Sequence, residues 1–157
     1  MLSPLPIPLT KDPPVGFYFM VTFLAGGLIP NPLDIRFQSV SGISSTMETT
    51  EVREGGENLF SIRLPTRMTY GNLVLKRGMV IGSPLNIEFN VAMSSLSFIP
   101  GSVIVILLSA QDLPVASWVF QDSYPLKWSV SDLDATQSAV VIDTMELAYG
   151  RMKSLRI

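Results

Sequence analysis

Two stretches of the chain are apolar at nearly every position, which predicts strands covered on both faces. Residues 17–24 read FYFMVTFL and residues 102–108 read SVIVILL. Alternate side chains of a strand point to opposite faces, so a strand that is apolar throughout is covered on both sides. The cover comes either from the chain's own core or from another subunit.

Shorter patterned runs predict the remaining strands. They are residues 35–40, 46–52, 73–77, 115–120 with 126–130, and 140–147. The runs 115–120 and 126–130 form one long strand or a pair, interrupted at residues 122–123. In the last run the apolar positions change parity, from Val140 and Ile142 to Met145 and Leu147. Such a shift predicts a β-bulge near Asp143.

One segment, residues 84–96, carries two competing patterns. Ser83 followed by Pro84 is typical of a helix N-cap with proline at the first helical position. Leu85, Phe89, Ala92 and Leu96 would then share a helical face. The apolar residues from 85 to 93 also occupy every second position, which by itself favours a strand.

The polar stretch from residue 46 to residue 78 differs from both the apolar strands and the segment at residues 84–96. Residues 46–52 are largely polar on both faces, which suits either a strand along a water-filled channel or an ordinary edge strand. Residues 54–72 then separate this run from the strand at 73–77, whereas tight hairpins use loops of about 2 to 5 residues. We therefore expect a long ordered loop that reaches outside its own fold.

Composition favours association with other chains. The 157 residues suggest one domain, residues 17–157, preceded by a proline-rich arm at residues 1–16. Hydrophobic residues make up 47% of the chain and charged residues 15%, against a usual charged fraction of about 25%. Such a chain hides apolar surface against partners or is an unusually apolar monomer.

The composition also limits which catalytic, metal-binding and nucleic-acid-binding functions the chain can have. The chain has no histidine and no cysteine, which removes the commonest general base, the commonest metal ligand and any disulfide. The net charge of −2 argues against specific nucleic-acid binding. Asp132 and Asp134 could pair as catalytic or cation-binding carboxylates but are more typical of a turn. Gly55-Gly56 lacks the following GK[ST] of a phosphate loop.

Neither a transmembrane span nor a secretory signal is expected. The longest apolar run is far shorter than the about 20 residues that cross a bilayer, and prolines interrupt an N-terminus without a basic start. Assembly in the cytoplasm is therefore predicted.

Several segments together resemble the tail tube proteins of contractile phage tails and contractile injection systems. The similar segments, in chain order, are FQSVSG at 37–42, REGGEN at 53–58, LKRG at 75–78, WVFQDSYPLKW at 118–128 and VVIDTMEL at 140–147. The resemblance spans residues 16–152. It also favours a helix at 84–96.

The resemblance implies a mainly β fold of two packed antiparallel sheets, or a partly closed barrel, with one short helix. Copies would form hexameric rings that join into an inner β-barrel and stack into a tube. No cofactor, metal or catalysis is implied; the partners would be sheath and baseplate or hub proteins, with possible cargo in the lumen. The expected contacts between subunits or rings are Arg53, Glu54, Gly55, Gly56, Asn58, Lys76, Arg77 and Gly78.

The charges of those residues independently suggest a contact between copies. Arg53 and Glu54, with Lys76 and Arg77, place both signs of charge on one surface. Such a surface can pair with its copy on a rotated neighbour, as a head-to-tail contact that closes into a ring requires.

Two departures from the family pattern leave the position in the tail open. The helix region has no tryptophan and little charge, and the proline arm is long. A tube initiator, the adaptor ring between baseplate hub and tube, is the alternative within the class. A β-sandwich that binds glycans or small ligands, with Trp118, Tyr124 and Trp128 as a stacking surface, is the alternative outside it.

Overall fold

The fold is mainly β, with one helix set against the sheets. The computed structural model describes residues 16, 18–24, 36–52, 55–56, 61–97 and 99–156, so the predicted arm lies almost wholly outside the described residues. The elements are β1 (Phe19–Leu24), β2 (Ser39–Ser41), β3 (Ser45–Val52), β4 (Ile62–Tyr70), β5 (Leu73–Gly78), α1 (Pro84–Ser95), β6 (Gly101–Leu108), β7 (Pro114–Val130), β8 (Ile142–Ala148) and β9 (Arg151–Arg156).

Two antiparallel sheets share the long strand β7. Its first part pairs with β6 on one side and β9 on the other, and β1 lies beyond β6. Its second part pairs with β8, which continues to β5 and β2. Between the two parts Asp122 adopts a φ of 56°, a left-handed conformation that only a minority of non-glycine residues adopt. The two predicted runs are therefore one strand that belongs to both sheets.

The core fills the space between these sheets. Val21, Val103, Val105 and Phe120 come from one sheet, and Leu73, Leu75, Met145 and Leu147 come from the other. Phe120 meets the ring of Tyr149 edge-on at 4.8 Å between ring centroids. Each fully buried aliphatic or aromatic side chain contributes about 1.5–3 kcal/mol by leaving water, so this cluster stabilises the fold of the single chain.

The predicted helix is present, and its N-cap is the predicted residue. The Ser83 hydroxyl accepts a hydrogen bond from the Asn86 backbone N–H at 3.4 Å, and Leu85 and Phe89 are buried against the sheets. Leu96 does not share their buried face. It is the C-cap, with a φ of 53°, and its side chain is 85% exposed, because the left-handed residue leaves the helical path.

The bulge predicted near Asp143 is wrong. β8 pairs with β5 without interruption from Ile142 to Leu147, and the register shift on its other side lies in β7, between Pro125 and Lys127. The parity of β8 never changes. Asp143 is fully buried and occupies the core-facing position where an apolar residue was expected.

Two further segments differ from their predictions. Among the described residues 36–40 of the strand expected at 35–40, only the last two are paired, in β2 (Ser39–Ser41), although the Gln38 N–H still donates to the Lys76 carbonyl at 2.7 Å. Residues 151–156, for which the sequence predicted no strand, form β9 against residues 116–121 of β7. Its side chains are mostly exposed, which left little apolar pattern to indicate a strand.

Candidate assembly interface

The stretch expected as a long loop contains a second strand. β4 pairs with β3 in a separate two-stranded sheet, so the loop prediction is wrong for residues 62–70. Residues 62 to 70 alternate almost perfectly between apolar and polar, with Pro65 as the interruption. Proline is tolerated on edge strands because its missing donor is not needed on the open side, and in a two-stranded sheet both strands are edges.

One face of the outer half of this hairpin is apolar and exposed. The register places Val52 opposite Ile62, and Leu64, two residues along β4, shares their face. Met47 lies opposite Met68 beyond a register shift, and both point to the other face. These five side chains are between 38% and 57% exposed. Apolar side chains gathered on one side of an exposed sheet mark an interaction surface.

Two ion pairs cross the strands of the hairpin. Arg63 Nε lies 3.2 Å from Glu51 Oε1, and Arg67 pairs with Glu48. The register shift between Met47 and Thr49 inserts the extra residue into β4, because Met47 pairs with Met68 and Thr49 with Pro65. β3 therefore keeps its alternation, and Glu48 and Glu51 point to opposite faces. The outer half of the hairpin is thus amphipathic, with Val52, Ile62 and Leu64 on one face and the Glu51–Arg63 pair on the other.

The base of the hairpin is fixed to the core by aromatic residues and glycine. The Tyr149 hydroxyl donates to the Ser44 carbonyl at 3.3 Å, and its ring lies 5.4 Å from that of Tyr70. Burial raises the pKa of Tyr149 above its ordinary value. At Gly42, with a φ of 82°, a Cβ would lie 1.8 Å from the Asn72 carbonyl oxygen, so no other residue fits this crossing.

The predicted contact residues fall into three groups. Gly55 and Gly56 form a turn at the far end of the hairpin, where Gly56 has a φ of 109°, a conformation that favours glycine. Lys76 is exposed on β5, and Gly78 ends that strand. Arg53, Glu54 and Asn58 lie outside the described residues.

Arg77 has a role inside the subunit that the sequence did not indicate. Only 2% of it is exposed. Its Nη2 donates to Ser83 Oγ at 2.7 Å and to Asn86 Oδ1 at 2.8 Å, and its guanidinium lies 5.4 Å from the centre of the Phe37 ring. Asn86 in turn donates to Asp143 at 3.3 Å. This buried network joins β5, β8 and the start of α1.

The residues proposed for other functions are used structurally. Trp118 and Trp128 are partly buried and pack against the core cluster, so neither is presented as an open stacking surface. Asp134 accepts hydrogen bonds from the Thr136 hydroxyl and backbone N–H, which lower the pKa of its carboxyl. Across the described ranges, no group of three or more acidic side chains could hold a metal ion.

Membrane crossing by a helix finds no support in the part of the chain that the structure describes. The helix found there is too short and too polar to span a bilayer.

Similar proteins form contractile tails and injection machines. A chain in the cryo-electron microscopy structure of the anti-feeding prophage (AFP) baseplate, 6-fold symmetrised, is 40% identical, with a TM-score of 0.84 over 93% of this chain and 97% of that chain. A chain of the sheath–tube complex of the extracellular contractile injection system PVC is 18% identical, with a TM-score of 0.78 over 94% and 95% of the two chains.

The fold extends to a more distant group. Hcp1 from Salmonella typhimurium has a TM-score of 0.53 at 17% identity, over 87% of this chain and 85% of that chain. No curated protein matches the chain. Residues 15–153 match the family described as T4-like virus tail tube protein gp19. Because the match covers nearly the whole chain, the protein belongs to this tail tube family.

Proposed function

We propose that this chain is a structural subunit of the rigid inner tube of a contractile injection system or phage-like tail. Its copies form hexameric rings, and the rings stack into the tube. The observation that carries the proposal is the hairpin β3–β4, whose apolar face is exposed in the single chain. The AFP baseplate relative, determined with 6-fold symmetry, supports the number of copies.

A neighbouring copy provides the packing surface that the apolar face of the hairpin lacks in the single chain. A two-stranded hairpin is at best marginally stable in water unless a hydrophobic face packs against something. Packing the side with Val52, Ile62 and Leu64 against the next subunit removes apolar surface from water, at about 25 cal/mol per Å². The side with the Glu51–Arg63 pair then faces the water-filled lumen.

Strand edges supply the second part of the contact. β1 and β2 are the outer strands at the two ends of the main sheet path, and an outer strand presents unpaired backbone donors and acceptors. Edges of different identity that meet between copies make a head-to-tail contact. Such a contact closes into a ring when the rotation between copies is regular.

The predicted contact residues set the register of this assembly. Gly55 and Gly56, with Arg53, Glu54 and Asn58 beside them in the sequence, occupy the end of the hairpin, from which they contact the next subunit or ring. Lys76 and Gly78 offer a second contact on β5. Exposed ion pairs add only about 0–1 kcal/mol each, so they select the arrangement while the apolar face supplies affinity.

Arg77 contributes to the assembly indirectly. Its side chain is buried against α1, so it holds the β5 corner in place, and Lys76 and Gly78 present the surface.

The role is structural rather than catalytic, and the partners are other tail components. We propose sheath and baseplate proteins outside and cargo within the lumen, with assembly in the bacterial cytoplasm before the chain becomes part of a particle. The relatives from sheath–tube and baseplate assemblies support these partners.

A tube initiator, the ring that joins the baseplate hub to the tube, is the second candidate. The AFP baseplate chain is 40% identical to this one, whereas the chain of the PVC sheath–tube complex is 18% identical. The difference favours a position near the baseplate. Purified protein that forms rings without extending into long tubes would support the initiator, and long tubes would support the main tube protein.

The experiment compares one added charge on each face of the hairpin. Leu64→Asp places a carboxylate on the apolar face. Thr49→Asp places it on the opposite face, where Pro65 is the opposing residue and Arg63 lies two residues along β4. We expect wild type and Thr49→Asp to form rings in negative-stain images and in sedimentation velocity, and Leu64→Asp to remain monomeric.

Circular dichroism of both variants checks that the single chain is still folded. The proposal is wrong if the wild type is monomeric at every concentration, or if Leu64→Asp forms rings as readily as Thr49→Asp does.

A further inference from the structure

An apolar groove lies beside the helix, away from the hairpin. It has a volume of about 430 Å³ and runs between α1, the end of β1, the start of β6 and the middle of β7, within the about 300–1,000 Å³ of pockets that bind ligands. Leu85 and Phe89 are buried in it, and Phe23 adds a second aromatic ring. Glu88 is the charged residue among the side chains that line it.

The rim of the groove exposes large aliphatic side chains. Ile99 is 78% exposed, Ile87 61%, Val91 55% and Leu24 40%. Ile87 and Val91 lie one turn apart on the same helix. Contiguous exposed apolar surface of this kind marks a place where another segment binds.

The first residues of the chain have the matching chemistry. Residues 1–10 carry no charged side chain and include prolines at positions 4, 6 and 8. Proline-rich segments favour the polyproline II conformation, which repeats every three residues, so Leu2, Leu5 and Pro8 would share one side. Such segments bind in apolar grooves with aromatic linings, and they lose little entropy because they are already extended.

The length of the segment allows it to reach the groove of its own chain. β1 begins beside Leu107 and ends beside Ser102, and the groove lies at this second end, with Leu24 in its lining. The six residues of β1 span roughly 20 Å at about 3.3 Å per residue. An extended segment as long as residues 10–17 would reach about 25 Å at roughly 3.1 Å per residue, enough to return along β1.

We propose that residues 2–9 bind in this groove of their own chain, with Leu2, Leu5 and Pro8 directed toward Phe23, Phe89 and the helix. Lys11, the basic residue that follows, then comes near Glu88. The attachment makes the groove part of the folded subunit, and Ile87, Val91 and Ile99 are covered before any ring forms. It is independent of the contacts proposed for the tube.

The absence of cysteine permits a direct test in the full-length chain. Ser3→Cys on the arm is combined with Val91→Cys at the rim, or with Met93→Cys as the matched control. Met93 lies on the same helix and is 44% exposed, but it does not line the groove. Disulfide formation under mild oxidation is followed on non-reducing gels and by mass spectrometry of dilute protein.

We expect a disulfide within one chain to form at least about tenfold faster with Val91→Cys than with Met93→Cys. Adding Leu5→Asp should abolish that preference and leave both rates equal. Equal rates without Leu5→Asp would overturn the proposal, because an unattached arm would reach both positions alike. Disulfides that form only between chains would also overturn it, since they would place the arm on a neighbour.

Discussion

The two sheets that share β7 and the hairpin β3–β4 use the same kinds of residues for opposite purposes. In the sheets Val21, Leu73 and Phe120 are fully buried, whereas in the hairpin Val52, Ile62 and Leu64 are 38% to 49% exposed. Burial stabilises the single chain only where the chain itself provides the cover. The contrast therefore separates residues that fold the subunit from residues that we propose join subunits.

The sharpest test of this contrast is to truncate one side chain in the core and one on the exposed hairpin, and to compare the losses of stability. Phe120→Ala removes a fully buried ring and should lower the free energy of unfolding by about 3–5 kcal/mol. Leu64→Ala removes a side chain that is 49% exposed and should change it by at most about 0.5 kcal/mol. Urea denaturation of the monomer measures both. Comparable losses would show that the hairpin already packs within the single chain.

A smaller effect is expected where two adjacent residues of β5 point to opposite sides. Arg77→Met removes the guanidinium that donates to Ser83 and Asn86 and should cost about 2–3 kcal/mol, because hydrogen bonds to charged groups contribute about 1.5–3 kcal/mol. Lys76→Met, at an exposed position, should stay within about 0.5 kcal/mol. The same denaturation experiment measures both.

Equal losses from the two substitutions would contradict an internal role for Arg77. A loss of ring formation without loss of stability in Arg77→Met would instead place this residue at the subunit contact.

The smallest effect is expected at the boundary between core and hairpin, where Tyr149 meets Ser44. Burial raises the pKa of Tyr149, so the folded chain holds the phenolic proton more tightly than the unfolded chain does. This contribution to stability is complete below the unfolded pKa of about 10 and is lost as the pH rises through the folded value.

Tyr149→Phe removes that contribution together with the hydroxyl. We expect the free energies of unfolding of wild type and variant to differ at neutral pH, where the hydrogen bond to Ser44 is intact, and the difference to shrink as the pH rises above about 10. Denaturant titrations across this range measure the difference. A difference that stays constant with pH would show that Tyr149 titrates alike in both states.

Much of the sheet architecture could be predicted because apolar patterns report burial. β1 and β6 are apolar on both faces and proved to be core strands, and the Ser83-Pro84 signal outweighed the strand-like alternation of α1. Ile87 and Val91 supplied that misleading alternation, and both are exposed. Periodicity alone cannot tell an apolar side chain that is buried from one that is exposed beside a groove.

The parts that could not be predicted depend on single polar or proline residues in unusual places. Pro65 obscured β4, whose alternating pattern was otherwise clear, and so the apolar face of the hairpin was missed. Asp143 interrupted the apolar pattern of β8 and suggested a bulge, because a buried carboxylate is rare unless hydrogen bonds support it. Its support from Asn86 comes from a residue 57 positions away in the chain, beyond any local pattern.

β7 runs through both sheets as one continuous strand of 17 residues. A force applied to one sheet along this strand is therefore transmitted to the other sheet through the covalent backbone of β7, and not only through the packing between the two sheets. If the subunit serves in a shaft that is driven forward, its two halves would advance as a single stiff body.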